Sequence, residues 1–293
     1  MTPANQRSAA DRLIVALDVP SVDAALRAVE RLDNVSFFKI GLQLFLTGGF
    51  PELLAALRGK RVFVDLKVPG DISNTIAAVV DMCIQHDVAF LTLSESMPAK
   101  AIRVAAETRN ARGRTDPKFL IVPLVSSLDA DDVAESIGSD DLETYVLKRA
   151  RRALEAGCDG IIASGDAIGW CRAAFPPPTV IVSPGIRPAG SGDDDHKRLT
   201  TPSDAIRMGA DYLVVGRPIM RAPDPRAAAD AVIHEIEAAL ALRARSCLSR
   251  AAPAGAELAP PSYRAFRFST LTMFEKSSVH SGVDGGIAGT RQR

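Results

Sequence analysis

The chain has 293 residues, of which 47% are hydrophobic, enough for one large core or two modest ones. Its 35 basic and 35 acidic residues balance to a net charge of zero, which removes the usual electrostatic argument for binding nucleic acid or an anionic membrane. The chain starts without an apolar signal segment, so we expect a cytoplasmic protein. Four cysteines lack metal-ligand spacing and are interpreted as small apolar residues: Cys83, Cys158, Cys171 and Cys247.

Apolar runs alternate with amphipathic segments along most of the chain. The runs predict strands over residues 13–18, 37–41, 62–67, 89–94, 120–126, 160–164, 180–183 and 212–216. The amphipathic segments predict helices over residues 21–32, 52–57, 72–85, 99–109, 142–156, 202–208 and 226–240. This alternation favours an α/β fold, a closed (β/α)8 TIM barrel of the phosphate-binding type. A doubly wound open sheet fits less well, because no GxGxxG turn follows the first strand.

The ends of the chain differ from the middle in composition. We predict a disordered N-terminus over residues 1–10, a barrel domain over residues 11–242 and a disordered tail over residues 243–293. The tail is rich in Ala, Pro, Ser, Gly and Arg and shows no sustained amphipathic period.

Charged or hydroxyl-bearing residues follow several predicted strands, at the end of a barrel where active sites lie. The third strand ends in Asp65-Leu66-Lys67, with Asp71 shortly after it. Because side chains alternate faces along a strand, Asp65 and Lys67 should point the same way and contact each other, as proton-transfer chemistry requires. A surface ion pair, with Asp71 capping the next helix, is the alternative. Other strands end in Asp18, Lys39, Ser126 and Ser127.

Two glycine-containing turns predict a phosphate site. Ser183-Pro184-Gly185-Ile186-Arg187 follows the seventh strand, and Gly216-Arg217-Pro218 follows the eighth. Glycine lets backbone N–H groups approach an anion, and a guanidinium can grip it with two hydrogen bonds. Between the turns, the Gly-rich and charged segment 188–198 predicts a mobile lid over the ligand.

Six sequence blocks resemble the orotidine 5′-phosphate decarboxylase family. They are Ile14–Pro20, Phe38–Gly41, Val64–Lys67, Asp71–Thr75, Pro184–Gly190 and Val215–Ile219. The resemblance extends over residues 12–240 and implies a (β/α)8 barrel that works as a homodimer without metal or organic cofactor. It also implies the conversion of orotidine 5′-phosphate to UMP and CO2 in pyrimidine biosynthesis.

Carried over residue by residue, the resemblance assigns Lys39, Asp65, Lys67 and Asp71 to a charged catalytic array. Lys67 would donate a proton to C6 of the substrate, and Asp71 and Thr75 would reach into the neighbouring subunit's site. The implied substrate-binding residues are Asp18 and Lys39 at the ribose, Ser127 at the pyrimidine, and Pro184, Gly185, Arg187, His196, Gly216 and Arg217 around the phosphate.

The chain departs from the family pattern at several positions. Three residues, 68–70, separate Lys67 from Asp71, where the family has two. Ser73 replaces a proline, Ser94 stands where a histidine is common, and His196 stands where a glutamine is common. Two alternatives stay open. One is a sugar-phosphate-processing barrel, such as an epimerase, an aldolase or an enzyme like 3-keto-gulonate-phosphate decarboxylase. The other is a catalytically impaired protein that binds a nucleoside monophosphate.

Overall fold

A parallel barrel forms the centre of the molecule. The computed structural model describes residues 7–69, 75–126, 130–138, 141–188 and 200–251, which all fall within one compact unit, Met1–Ala251. The strands are β1 (Leu13–Ala16), β2 (Phe37–Gly41), β3 (Arg61–Val68), β4 (Phe90–Leu93), β5 (Lys118–Ile121), β6 (Gly160–Ile162), β7 (Val180–Ser183) and β8 (Tyr212–Val215). Each strand pairs in parallel with the next, and β8 closes the barrel on β1 with Leu13 opposite Leu213. The predicted (β/α)8 fold is confirmed.

Helices surround the barrel and connect its strands. They are α1 (Val22–Arg31), α2 (Leu42–Leu46), α3 (Phe50–Ala56), α4 (Thr75–Gln85), α5 (Ala99–Ala111), α6 (Ala130–Ile137), α7 (Leu142–Glu155), α8 (Ala167–Ala174), α9 (Pro202–Met208), α10 (Arg217–Met220) and α11 (Pro225–Ala251). Among the described residues, no helix combines the length and the apolar character needed to cross a membrane.

The observed elements differ from the predicted ones mainly at their ends. The fifth strand stops at Ile121 instead of residue 126, because Pro123 has no N–H to donate to a ladder. Four short helices were not predicted: α2, α6, α8 and α10. The last helix extends to Ala251, beyond the predicted domain boundary at residue 242. The disordered termini stay predictions, because residues 1–6 and 252–293 lie outside the described part.

Two apolar layers hold the barrel together. Side chains on the outer face of the strands pack under the helices, while a second cluster fills the interior. At the N-terminal end of the interior, Phe37 and Tyr212 both pack on Phe90, with ring centroids 5.2 and 5.1 Å away. The guanidinium carbon of Arg61 lies 4.1 Å from the centroid of the Phe37 ring. These large side chains close one end of the barrel, so a cavity can form only at the other end.

Candidate active site

The period of two along each strand explains how charged side chains enter the barrel. In β2, Lys39 follows the interior residue Phe37 by two positions, and in β3 Asp65 follows the interior residue Phe63 by two. The same spacing along and beyond β1 leads from Ala16 to Asp18. The aromatic layer therefore sits below a layer of charged groups at the C-terminal end of the strands.

Four charged side chains, these three and Lys67, form a continuous row of ion pairs with alternating charge. The Lys39 Nζ lies 3.2 Å from Asp18 Oδ1 and 3.2 Å from Asp65 Oδ2. The other oxygen of that carboxylate, Asp65 Oδ1, lies 3.1 Å from the Nζ of Lys67. As the strand alternation predicts, Asp65 and Lys67 contact each other. We call Asp18, Lys39, Asp65 and Lys67 the charged array.

Burial and charge compete at the two inner members of the array. Burial alone would lower the pKa of Lys39, but the carboxylates of Asp65 and Asp18 outweigh it and raise that pKa. Burial alone would raise the pKa of Asp65, but the ammonium groups of Lys39 and Lys67 and the hydrogen bonds from Lys67 and Thr92 hold it below its usual range. Both groups are therefore charged at neutral pH. The outer members, Asp18 and Lys67, are more exposed, at 55% and 42% of the side chain.

The array lines one wall of a cavity of about 280 Å³. The remaining wall is mainly apolar and comes from the interior layer and the loops after β5 and β7: Ala16, Phe63, Val122, Val125, Ser126, Ile162, Pro184, Gly185 and Val214. Fixed charges beside an apolar wall interact more strongly than they would in water. The cavity can therefore bind a small ligand with one charged edge and one apolar edge.

The loop after β7 lines the cavity and the end of β8 lies beside the charged array, at the two positions where a phosphate site was predicted. Pro184 and Gly185 line it, and Gly185 adopts a φ of 73°, a left-handed conformation that favours glycine. A Cβ on Gly216 would lie 3.6 Å from Asp18 Oδ2, so the end of β8 runs directly beside the array. Arg217 begins α10 immediately afterwards.

Other predicted site residues lie elsewhere. Arg187 is buried, its Nη1 donates to the Ile186 carbonyl, and it lines a neighbouring cavity that includes Thr200 and Asp204 instead of the cavity of the array. Thr75 begins α4 and does not line the array's cavity. Ser126 lines the cavity, but from a loop instead of the predicted strand end. Several predictions lie outside the described residues: Asp71, Ser127, His196 and most of the lid segment 188–198.

Sequence reasoning missed one hydroxyl that touches the array. Thr92 in β4 is fully buried and donates to Asp65 Oδ1 across 2.9 Å. The signal was present, because Thr92 is the single polar residue of the β4 sequence Phe-Leu-Thr-Leu. The apolar wall of the cavity was also not predicted, since it depends on which strands face each other.

The described residues hold no group of three or more His, Cys, Asp or Glu side chains arranged to bind a metal ion. Three described cysteines, Cys83, Cys158 and Cys171, are free thiols in the apolar interior, in agreement with their interpretation as small apolar residues.

Several known proteins are similar to this chain in sequence and in fold. Residues 11–232 match the family described as "Orotidine 5'-phosphate decarboxylase / HUMPS family". Orotidine 5′-phosphate decarboxylases from Rhodopseudomonas palustris strains HaA2 and BisB5 are each 45% identical over 230 and 228 residues, which is 77% of this chain and 94% of theirs.

Two solved structures also resemble the chain. The crystal structure of orotidine 5′-phosphate decarboxylase from Lactobacillus acidophilus has a TM-score of 0.66 and 29% identity, covering 76% of this chain and 98% of that one. An uncharacterized conserved protein from Geobacillus kaustophilus has a TM-score of 0.65 and 26% identity, covering 76% and 99%. The match to the family over residues 11–232, together with the identity to curated relatives, shows that the chain belongs to the orotidine 5′-phosphate decarboxylase / HUMPS family.

Proposed function

We propose that the protein converts orotidine 5′-phosphate to UMP and CO2, with Lys67 as the proton donor. The observation that carries the proposal is the charged array along one wall of a cavity whose other wall is mainly apolar. This function agrees with the family and with the names of its relatives. Nothing in those names supports the sugar-phosphate alternative.

The chemistry requires stabilisation of a carbanion. When the bond between C6 and the carboxylate breaks, CO2 leaves and the electron pair stays on C6, with no adjacent carbonyl to accept it. The ammonium of Lys67 beside that carbon stabilises the negative charge and then transfers a proton from Nζ to C6. Solvent can return a proton to Lys67, which is 42% exposed. Asp65, placed beside the substrate carboxylate, would favour its departure as CO2 and would hold Lys67 in position.

Binding of the distant phosphate supports this step. We infer that Gly185, Gly216 and Arg217 bind the phosphate through backbone N–H groups and a guanidinium, as their loops lie at the open end of the barrel. Asp18 and Lys39 would bind the ribose hydroxyls. Interactions with such non-reacting parts of a substrate can lower the barrier at the reacting carbon.

The test is the loss of orotate absorbance when the purified protein meets orotidine 5′-phosphate in the presence of EDTA. The Lys67→Ala variant should lose turnover by at least about 10³-fold, because it lacks both the proton donor and the charge beside C6. It should still bind UMP, because the substitution retains the residues assigned to the phosphate and the ribose. Lys148→Ala, which removes an exposed lysine from α7, is the control and should keep full activity.

Two results would contradict the proposal. Turnover that survives in Lys67→Ala would exclude Lys67 as the proton donor. UMP binding without any wild-type turnover would instead favour the impaired nucleotide-binding alternative, in which the longer segment between Lys67 and Asp71 has displaced Asp71.

A homodimer is the second part of the proposal. The five-residue helix α2, directly after β2, exposes three large apolar side chains: Leu42, Phe45 and Leu46, at 51, 40 and 72%. Adjacent exposed apolar side chains commonly mark a protein interface. Since β2 also carries Lys39, this surface lies close to the charged array, where a second copy of the chain could contribute Asp71 and Thr75.

The dimer can be tested by sedimentation velocity. Leu46→Asp should shift the protein to a monomer and reduce turnover with it. Leu242→Asp is the matched control, because Leu242 is a similarly exposed leucine on α11. A Leu46→Asp protein that stays dimeric would exclude the α2 surface as the interface.

The cytoplasmic location stays a prediction.

A further inference from the structure

The C-terminal half of strand β3 has an irregular backbone. Val64 pairs with Leu91 in β4, and Val68 pairs with Leu93, so four residue steps in β3 are matched by two in β4. Two more residues of β3 than of β4 occupy this interval, and we call this register shift the bulge. Lys67 lies within the bulge and adopts a φ of 48°, in the left-handed region that residues with a side chain seldom adopt.

Thr92 lies opposite this bulge and contacts both charged residues of β3. Its Oγ1 accepts a hydrogen bond from the backbone N–H of Lys67 across 2.9 Å. The same hydroxyl donates to Asp65 Oδ1, also across 2.9 Å. Because a threonine hydroxyl has one hydrogen and two lone pairs, the bond from Lys67 leaves the hydrogen free to point at Asp65.

The two hydrogen bonds fix different parts of the array. The bond to the backbone of Lys67 satisfies an N–H group that the bulge removes from the regular ladder. The bond to Asp65 Oδ1 orients the carboxylate so that this oxygen faces Lys67 and the other faces Lys39. Thr92 itself is fully buried and does not line the cavity formed by the described residues. Its contacts with Lys67 and Asp65 are the route by which it can act on a ligand in that cavity.

We propose that Thr92 is a positioning residue, which holds the carboxylate of Asp65 and the left-handed backbone of Lys67 in the arrangement that proton transfer to the substrate requires. The proposal rests on the proposed decarboxylase function and adds to it a residue outside the substrate cavity. A merely structural threonine in β4 would affect folding stability without a selective effect on kcat.

The experiment compares Thr92→Val, Thr92→Ser and Thr92→Ala. Thr92→Val keeps the shape and removes the hydroxyl, so kcat should fall about 10- to 100-fold, as expected for the loss of a hydrogen bond to a charged group. KM should change less than threefold, because the phosphate contacts proposed for Gly185, Gly216 and Arg217 involve neither Thr92 nor its partners Asp65 and Lys67. Thr92→Ser should recover at least a third of wild-type kcat. If Thr92→Val does not fold, the pair Thr92→Ser and Thr92→Ala isolates the hydroxyl, since both lack the methyl group.

A matched control is available in helix α5. The hydroxyl of Thr108 donates to the Val104 carbonyl across 2.8 Å, away from the array, so Thr108→Val should leave kcat within twofold of wild type. The proposal is overturned if kcat of Thr92→Val stays within twofold of wild type, or if Thr92→Ser is as impaired as Thr92→Ala.

A crystal structure of the Thr92→Val variant separates this proposal from the proposed function. We expect Lys67 to leave the left-handed conformation, or its Nζ to move beyond 4 Å from Asp65. An array with unchanged geometry in that variant would refute the positioning role. This readout needs no turnover, so it remains decisive even if the wild-type protein does not decarboxylate orotidine 5′-phosphate.

Discussion

The pair Lys39–Asp65 should be strongly coupled in folding stability, and a double-mutant cycle can measure that coupling. The side chains are 12 and 14% exposed, and Nζ lies 3.2 Å from Oδ2. At that distance the Coulomb attraction is about 5 kcal/mol with an effective dielectric constant of about 20. Desolvation and the second partner of Lys39, Asp18, reduce the net coupling. We expect about 2 to 3 kcal/mol between Lys39→Met and Asp65→Asn.

The chain offers an exposed pair as the matched control. The guanidinium of Arg112 binds both carboxylate oxygens of Asp81, at 2.9 and 2.8 Å, with side chains that are 57 and 33% exposed. Despite these short distances, the coupling of Arg112 and Asp81 should be much weaker than that of the buried pair, because water and salt screen it. Urea unfolding of the single and double variants gives both values. Equal couplings in the two cycles would refute the argument that burial strengthens the array.

The coupling between Lys39 and Asp65 should be lost only at low and at high pH. The lowered pKa of Asp65 means that its contribution to stability is fully present above the unfolded pKa of about 3.9 and is lost as pH falls through the folded pKa. The raised pKa of Lys39 means that its contribution is present below about pH 10.4 and is lost as pH rises through the folded pKa. The coupling should therefore be constant between pH 5 and pH 9. A marked change within that range would contradict the assigned charges.

Four further predictions concern stability and reactivity. Gly160→Ala should destabilise the protein by about 2 kcal/mol in urea unfolding, because its Cβ would lie 2.4 Å from the Val180 carbonyl oxygen. Gly169→Ala, within α8, should instead stabilise the protein by about 0.5 to 1 kcal/mol, because the added Cβ would have no heavy atom within 4 Å apart from those of its own helix. Ser21→Ala should cost about 1 kcal/mol, since Ser21 caps α1 by accepting from the Ala24 N–H. Burial raises the pKa of the described cysteines, to about 12 for two of them, so mass spectrometry should find no alkylation at pH 8 before unfolding at Cys83, Cys158 and Cys171.

Much of the array could be predicted from sequence because it depends on local spacing. Asp18, Lys39 and Asp65 each follow an apolar interior residue by two positions, so alternation along a strand is sufficient to place them at one end of the barrel. Thr92 also follows an interior residue, Phe90, by two positions. Its role could not be predicted, because it depends on the register between β3 and β4 and not on either strand alone.

The bulge in β3 also bears on the extra residue between Lys67 and Asp71. Val68 is still part of β3: it pairs with Leu93, and its carbonyl accepts the Ser94 N–H across 3.1 Å. Only residues 69 and 70 therefore separate the end of the strand from Asp71. The contact between Lys67 and Asp65 lies before the longer segment and is kept with Lys67 in the left-handed conformation. The longer spacing leaves open a displacement of Asp71, whereas the described part of β3 keeps Asp65 and Lys67 in contact with each other and with Thr92 up to the point where the longer segment begins.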